Sequence, residues 1–173
     1  MHLLITYSSR NGATAGVGEA IGRTLIQNGF TVEILPMNKV NDLYNYDGFI
    51  LGSAIQSAKW LPESAGFILK NRAILVTRPV ALFSVCMTLT MPKGENYRQQ
   101  IKGWVQPISS LVNPVTEEIF AGSLSLKKIP GFSQRLKFRI SVMLGVWKEG
   151  DHRDWEKIED WADDVSRLFK LNV

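Results

Sequence analysis

Five short apolar runs punctuate this chain, at residues 3–7, 30–35, 47–53, 79–85 and 118–123, and stretches of helical periodicity lie between or after them at 13–28, 61–71, 95–111 and 153–171. Runs of this length alternating with amphipathic stretches predict parallel strands covered by helices on both faces. The expected fold class is therefore α/β, a doubly wound five-stranded parallel sheet of order 2-1-3-4-5. In that order ligands bind beyond the carboxyl ends of the first and third strands, where the winding reverses. The loops at 8–14, 53–60 and 84–94 are the candidates for a site. At 173 residues the chain suits one domain spanning 1–173, with a basic amphipathic insertion at about 124–150.

The first of these loops carries the most chemistry. Ser8, Ser9, Arg10, Asn11, Gly12, Ala13 and Thr14 form a strand-to-helix turn that aims backbone N–H groups and hydroxyls at the positive end of a helix dipole, a natural seat for phosphate. Gly12 admits close approach of an anion, while Ser8, Ser9 and Thr14 can donate hydrogen bonds to it. The turn has no GxxxxGK[ST] and no GxGxxG, so neither a nucleoside triphosphate nor a dinucleotide pyrophosphate fits. A terminal monophosphate fits better.

SSRNGAT at this place resembles the phosphate loop of flavodoxins, which bind FMN. It departs from the usual carriers, which have threonines where Arg10 and Asn11 stand, and is nearer the S-T-R-D-G-x-T form of menaquinone-dependent protoporphyrinogen dehydrogenases. The resemblance implies a flavodoxin-like fold, FMN as cofactor and a phosphate held by Ser8 to Thr14. The flavin ring would lie among Ser53, Ala54, Ile55 and Trp60 of the second loop and Ser84, Val85 and Cys86 of the third. Trp60 offers either an indole wall for the ring or a cover for the core at a helix start. The stretch 84–88 holds no acidic residue, which implies a flavin easier to reduce than in many flavodoxins. Cys86, the chain's one cysteine, reads as a small buried hydrophobe ahead of a redox thiol. With two histidines besides, it offers no zinc-binding pattern.

Charge is unevenly placed. The chain has 20 basic and 16 acidic residues, and six of the basic ones (Lys127, Lys128, Arg135, Lys137, Arg139, Lys148) fall in residues 127–148, which contain no acidic residue. The remainder is slightly acidic and lacks a recognition motif, which argues against nucleic acid as a partner. At 100° per residue Phe132, Leu136, Ile140, Met143, Leu144 and Trp147 share one face of this segment. Such a helix lies in an anionic membrane surface, grips an acidic or amphiphilic substrate, or docks its apolar face on the sheet edge. The dehydrogenases carry an aromatic and basic insertion here. The resemblance therefore places Arg135, Lys137, Arg139 and Trp147 in contact with substrate or membrane and implies a quinone or a redox partner protein. Residues 1–7 are too short for a signal-peptide core and no run spans a bilayer, so the expected location is cytoplasmic, with the basic segment allowing peripheral contact at the membrane's inner face.

The entry to the last helix, Gly150-Asp151-His152-Arg153-Asp154-Trp155, is also similar to the family's GD-x-x-DW. Asp151 is the expected helix cap. Trp155, Ile158, Trp161, Ala162, Val165 and Leu168 form the expected buried stripe. His152 reads as a surface residue of the capping region ahead of a catalytic group. The activity stays open between a quinone-linked FMN dehydrogenase and an FMN electron carrier with no substrate of its own.

Overall fold

A computed structural model describes residues 1–126 and 131–172. Its centre is a parallel sheet in the order β2-β1-β3-β5-β6, built from β1 (His2–Ser8), β2 (Thr31–Pro36), β3 (Gly48–Gln56), β5 (Val80–Cys86) and β6 (Thr116–Ala121). A two-residue strand, β4 (Lys59–Trp60), pairs antiparallel with the end of β3. Counted without β4, this is the order expected from the alternation of strands and helices.

Period-two alternation along each strand divides the core into two layers. Leu3, Ile5, Ile50 and Phe83 pack against α1 (Ala13–Gln27) and α5 (Trp155–Leu171). Leu4, Phe49, Leu51 and Leu82 face the other way, with buried residues of α2 (Pro62–Leu75) and α3 (Arg98–Val112). Strands buried on both faces must read as continuous apolar runs, and these do.

The last helix departs from expectation at its start. Asp154, not Asp151, is its cap and accepts from the Lys157 N–H at 3.1 Å. Trp155 and Leu168 lie outside the fully buried stripe, which continues through Phe169 instead. Asp151 is occupied elsewhere, in an ion pair with Arg153.

Between β6 and α5 the chain forms β7 (Ser123–Leu124), α4 (Phe132–Met143) and β8 (Gly150–Asp151), with β7 and β8 paired antiparallel. Lys127 and Lys128 lie outside the described residues, as does the Phe132 side chain. On α4 the expected apolar face does not dock on the sheet. Leu136 and Ile140 are about half exposed, and Met143 and Leu144 are 87% and 74% exposed. The half-buried side is made by Phe138, Ser141 and Val142, roughly a third of a turn or more away. Trp147 is half-buried, while Arg135, Lys137 and Arg139 are exposed. No described helix is long and apolar enough to cross a membrane.

Candidate functional site

Three loops meet at the carboxyl edge of the sheet because β1, β3 and β5 are neighbours and run parallel. Their ends are in register: Ser8 stands beside Ser53, and Ser53 beside Ser84. All three serines are buried. The Ser8 hydroxyl donates to Met37 Sδ at 3.4 Å, and Ser84 Oγ accepts from the Trp60 indole N–H at 2.8 Å. Ser53 Oγ accepts from the Leu61 N–H at 3.1 Å, bonds Ser64 Oγ at 3.0 Å and donates to the Ala54 carbonyl at 2.9 Å. This row therefore anchors the loops from beneath, and its hydroxyls are engaged by the protein itself.

The loop after β1 has the features of an anion seat. Gly12 caps α1 with φ +86°, a left-handed conformation that other residues adopt at a penalty, and its N–H is held by Ser9 Oγ at 3.1 Å. The first helical bond runs from the Gly16 N–H to the Gly12 carbonyl at 3.0 Å. The amides of residues 13–15 thus point out of the helix end, with no acidic side chain in that turn. Thr14 is wholly buried, and its hydroxyl has no hydrogen-bond partner among the described residues. An orphaned hydroxyl on the first turn is a loss that a bound oxyanion would repair. Arg10 is directed away, in a two-point ion pair with Glu63 at 2.7 and 3.1 Å, and Asn11 is exposed.

The second loop differs from expectation at its aromatic. Trp60 is 2% exposed and packs in the core layer under α2 and α3. The cause is the antiparallel return of β4 on β3, which pairs Ile55 with Trp60 and turns the indole inward. Of the two roles the sequence allowed, the structure places Trp60 in the core; Ala54 and Ile55 are half-buried at the rim. The turn joining β3 to β4 has positive φ at Ser57 (52°) and Ala58 (58°), the signature of a two-residue hairpin whose twist matches its strands. Neither residue is glycine. Ala58→Gly is expected to raise stability by about 1 kcal/mol by removing the left-handed penalty, checked by the midpoint of urea unfolding.

In the third loop Val85 and Cys86 are buried, with Cys86 packed near Ile101 and Ile119. The reading of this thiol as a small core residue holds. What reaches the rim is the 3-10 turn Met87–Thr90, half-buried throughout and folded back so that a Cβ at Gly94 would collide with the Leu89 carbonyl. His152 is half-buried, with Nε2 2.9 Å from the Lys148 carbonyl oxygen. A contact the sequence did not announce is that of Arg153, whose guanidinium reaches the Ala13 carbonyl at 3.5 Å. The available signal was Gly16, a glycine inside a helix, which marks a close approach by something else.

Among solved structures, the rubredoxin oxygen:oxidoreductase of Desulfovibrio gigas is similar at a TM-score of 0.64 and 13% identity; the match covers 99% of this chain and 36% of that one. A flavodoxin from the domain Archaea matches at 0.60 and 16%, covering 98% of this chain and 99% of its own. A flavodoxin mutant from Pseudomonas aeruginosa matches at 0.62 and 10%, with the same coverage. At these identities the likeness is one of fold. No curated protein sequence matches the chain. A family model described as a flavodoxin domain matches residues 4–151, and with the doubly wound sheet this establishes that the chain belongs to the flavodoxin-domain family, whose cofactor is FMN.

Proposed function

We propose that this chain is an FMN-dependent electron-transfer protein, a single flavodoxin-like domain with an insertion at about 124–150. Its cofactor phosphate is held by Ser9, Gly12, Ala13 and Thr14. The observation that carries this reading is the open first turn of α1, with left-handed Gly12 and the orphaned Thr14 hydroxyl, beside the switch between β1 and β3. When bound, FMN supplies one- and two-electron redox chemistry. The protein's part is to bind and orient. Amides of residues 13–15 and the Thr14 hydroxyl fix the phosphate, and the rims at 54–58 and 87–90 flank the ring. Electrons pass to a redox partner protein.

A second reading, a quinone-linked dehydrogenase of the protoporphyrinogen type working at an anionic membrane surface, is favoured by one feature. Leu136 and Ile140 are half exposed on α4, Met143 and Leu144 are exposed at its end, and Lys137 and Arg139 are exposed on the same helix. Each cation near an anionic surface contributes about 1 kcal/mol, and the apolar side chains add burial in the headgroup layer.

One set of measurements separates the readings. The purified protein is expected to be yellow, or to take up added FMN with quenching of the free flavin's fluorescence. A colourless protein that binds no FMN would overturn both readings. Sedimentation with phosphatidylglycerol vesicles at low and high salt, alongside turnover with porphyrinogen and quinone, then decides between them. Salt-sensitive binding that is lost in Lys137→Gln/Arg139→Gln, together with quinone turnover, favours the dehydrogenase. Absence of both leaves the carrier.

A further inference from the structure

Arg153 plays no part in the site as derived above, yet it touches the helix that would hold the phosphate. Its Nη1 is 3.5 Å from the carbonyl oxygen of Ala13, the first residue of α1, and a Cβ at Gly16 would overlap Nη1. Gly16 thus leaves the space in which the guanidinium lies. Two anchors fix it there. Asp151 accepts from Nε and Nη2 at 2.7 Å each, a two-point contact suited to the planar fork of arginine. The guanidinium carbon also sits 4.3 Å from the centroid of the Trp155 ring. The side chain is 16% exposed, so its charge is less screened than that of a surface residue. The same pairing holds the Asp151 carboxyl below its ordinary pKa, keeping it ionised through mild acid.

Asp151 belongs to β8, whose pairing with β7 closes the segment carrying α4. The contact therefore runs from the base of the insertion to the first turn of α1. Among the described residues, the guanidinium is the member of the ion pair that touches α1.

We propose that Arg153 is a positioning residue for the cofactor phosphate. Clamped by Asp151 and Trp155, it braces the first turn of α1 and turns the positive end of the ion pair toward that helix. The proposal rests on the FMN reading for the identity of the ligand. Its physical content is narrower: a cation delivered from the insertion's base selects for the phosphate end of the cofactor and leaves the ring end untouched.

The test uses three probes on the full chain: FMN, riboflavin (the ring without phosphate) and inorganic phosphate read as a rise in Tm. Arg153→Gln removes the charge. Gly16→Ala keeps the charge but pushes the guanidinium off the helix, and alanine in a helix is otherwise favourable. Both variants are expected to bind FMN about fivefold more weakly, the scale of a partly screened charge at a helix terminus. The Tm rise from phosphate should shrink, riboflavin binding should match wild type, and Gly16→Ala should melt no lower than wild type. Arg153→Lys should restore part of the FMN affinity, since it returns the charge without the fork. Equal losses for FMN and riboflavin, or unchanged FMN and phosphate responses in both variants, would overturn the proposal. Should wild type take up no FMN, the cofactor reading fails, and the phosphate response alone decides the role of Arg153: a loss in both variants supports it, and no difference from wild type overturns it.

Discussion

Trp60→Ala is expected to lower the unfolding free energy by about 3–5 kcal/mol, the range for removing a large buried aromatic. The indole is 2% exposed, packs in the layer with Ile68, Leu82 and Val105, and its N–H is satisfied by Ser84 Oγ. Trp60→Phe keeps most of the packing and loses that bond, so it should cost about 1 kcal/mol from the bond itself. Urea unfolding of the FMN-free protein measures both. If Trp60→Ala instead kept wild-type stability and lost FMN, the indole would belong to the cofactor site and the inward position of Trp60 would be wrong.

For Thr14 the two readouts should move in opposite directions. Replacing it with valine preserves shape while removing a hydroxyl that is buried without a partner, so the FMN-free protein should hold or gain stability. FMN binding should weaken by about 1.5–3 kcal/mol, the value of a hydrogen bond to a charged group. Thermal melts of the FMN-free protein and a fluorescence titration with FMN give the two numbers. A variant that binds FMN like wild type would remove Thr14 from the phosphate seat. A variant that loses stability would mean the hydroxyl already has a partner.

The contrast between Thr14 and Trp60 shows what a sequence can disclose here. Apolar runs such as 47–53 and 79–85 announce buried parallel strands because strands covered by helices on both sides bury both rows of side chains, and the observed β3 and β5 overlap both. The strand-to-helix turn at 8–14 was legible for a similar reason: β1 ends at Ser8 and α1 begins at Ala13, and the hydroxyls and glycine between them suit an anion at a helix start. Trp60 was not decided by its sequence. Its orientation depends on a two-residue strand entered through Ser57-Ala58, which lacks the Asn-Gly or Asp-Gly of a common tight turn. On α4 the spacing of 100° per residue grouped Leu136, Ile140 and Met143 on one face but could not tell which side the rest of the molecule would cover. Phe138 and Val142, on the other side, are the half-buried apolar residues of the helix. Arg153 was hidden because its partners, Ala13 and Gly16, are well over a hundred residues away in the chain.

The narrow neck formed by β7 and β8 has a further consequence for how such a protein can change. Ser123 faces Asp151 and Leu124 faces Gly150, so the chain leaves and re-enters the framework at nearly the same point. Closing a loop becomes more expensive only with the logarithm of its length, about 0.6 kcal/mol per doubling. Exchanging the intervening stretch of roughly 25 residues for a tight turn would therefore alter loop entropy by only about 2 kcal/mol. Whole modules can be lengthened, shortened or traded at this neck without redesigning the sheet. Asp151 limits that freedom, because it sits on the neck itself, and any exchange must leave β8 in place to keep its pairing with Arg153.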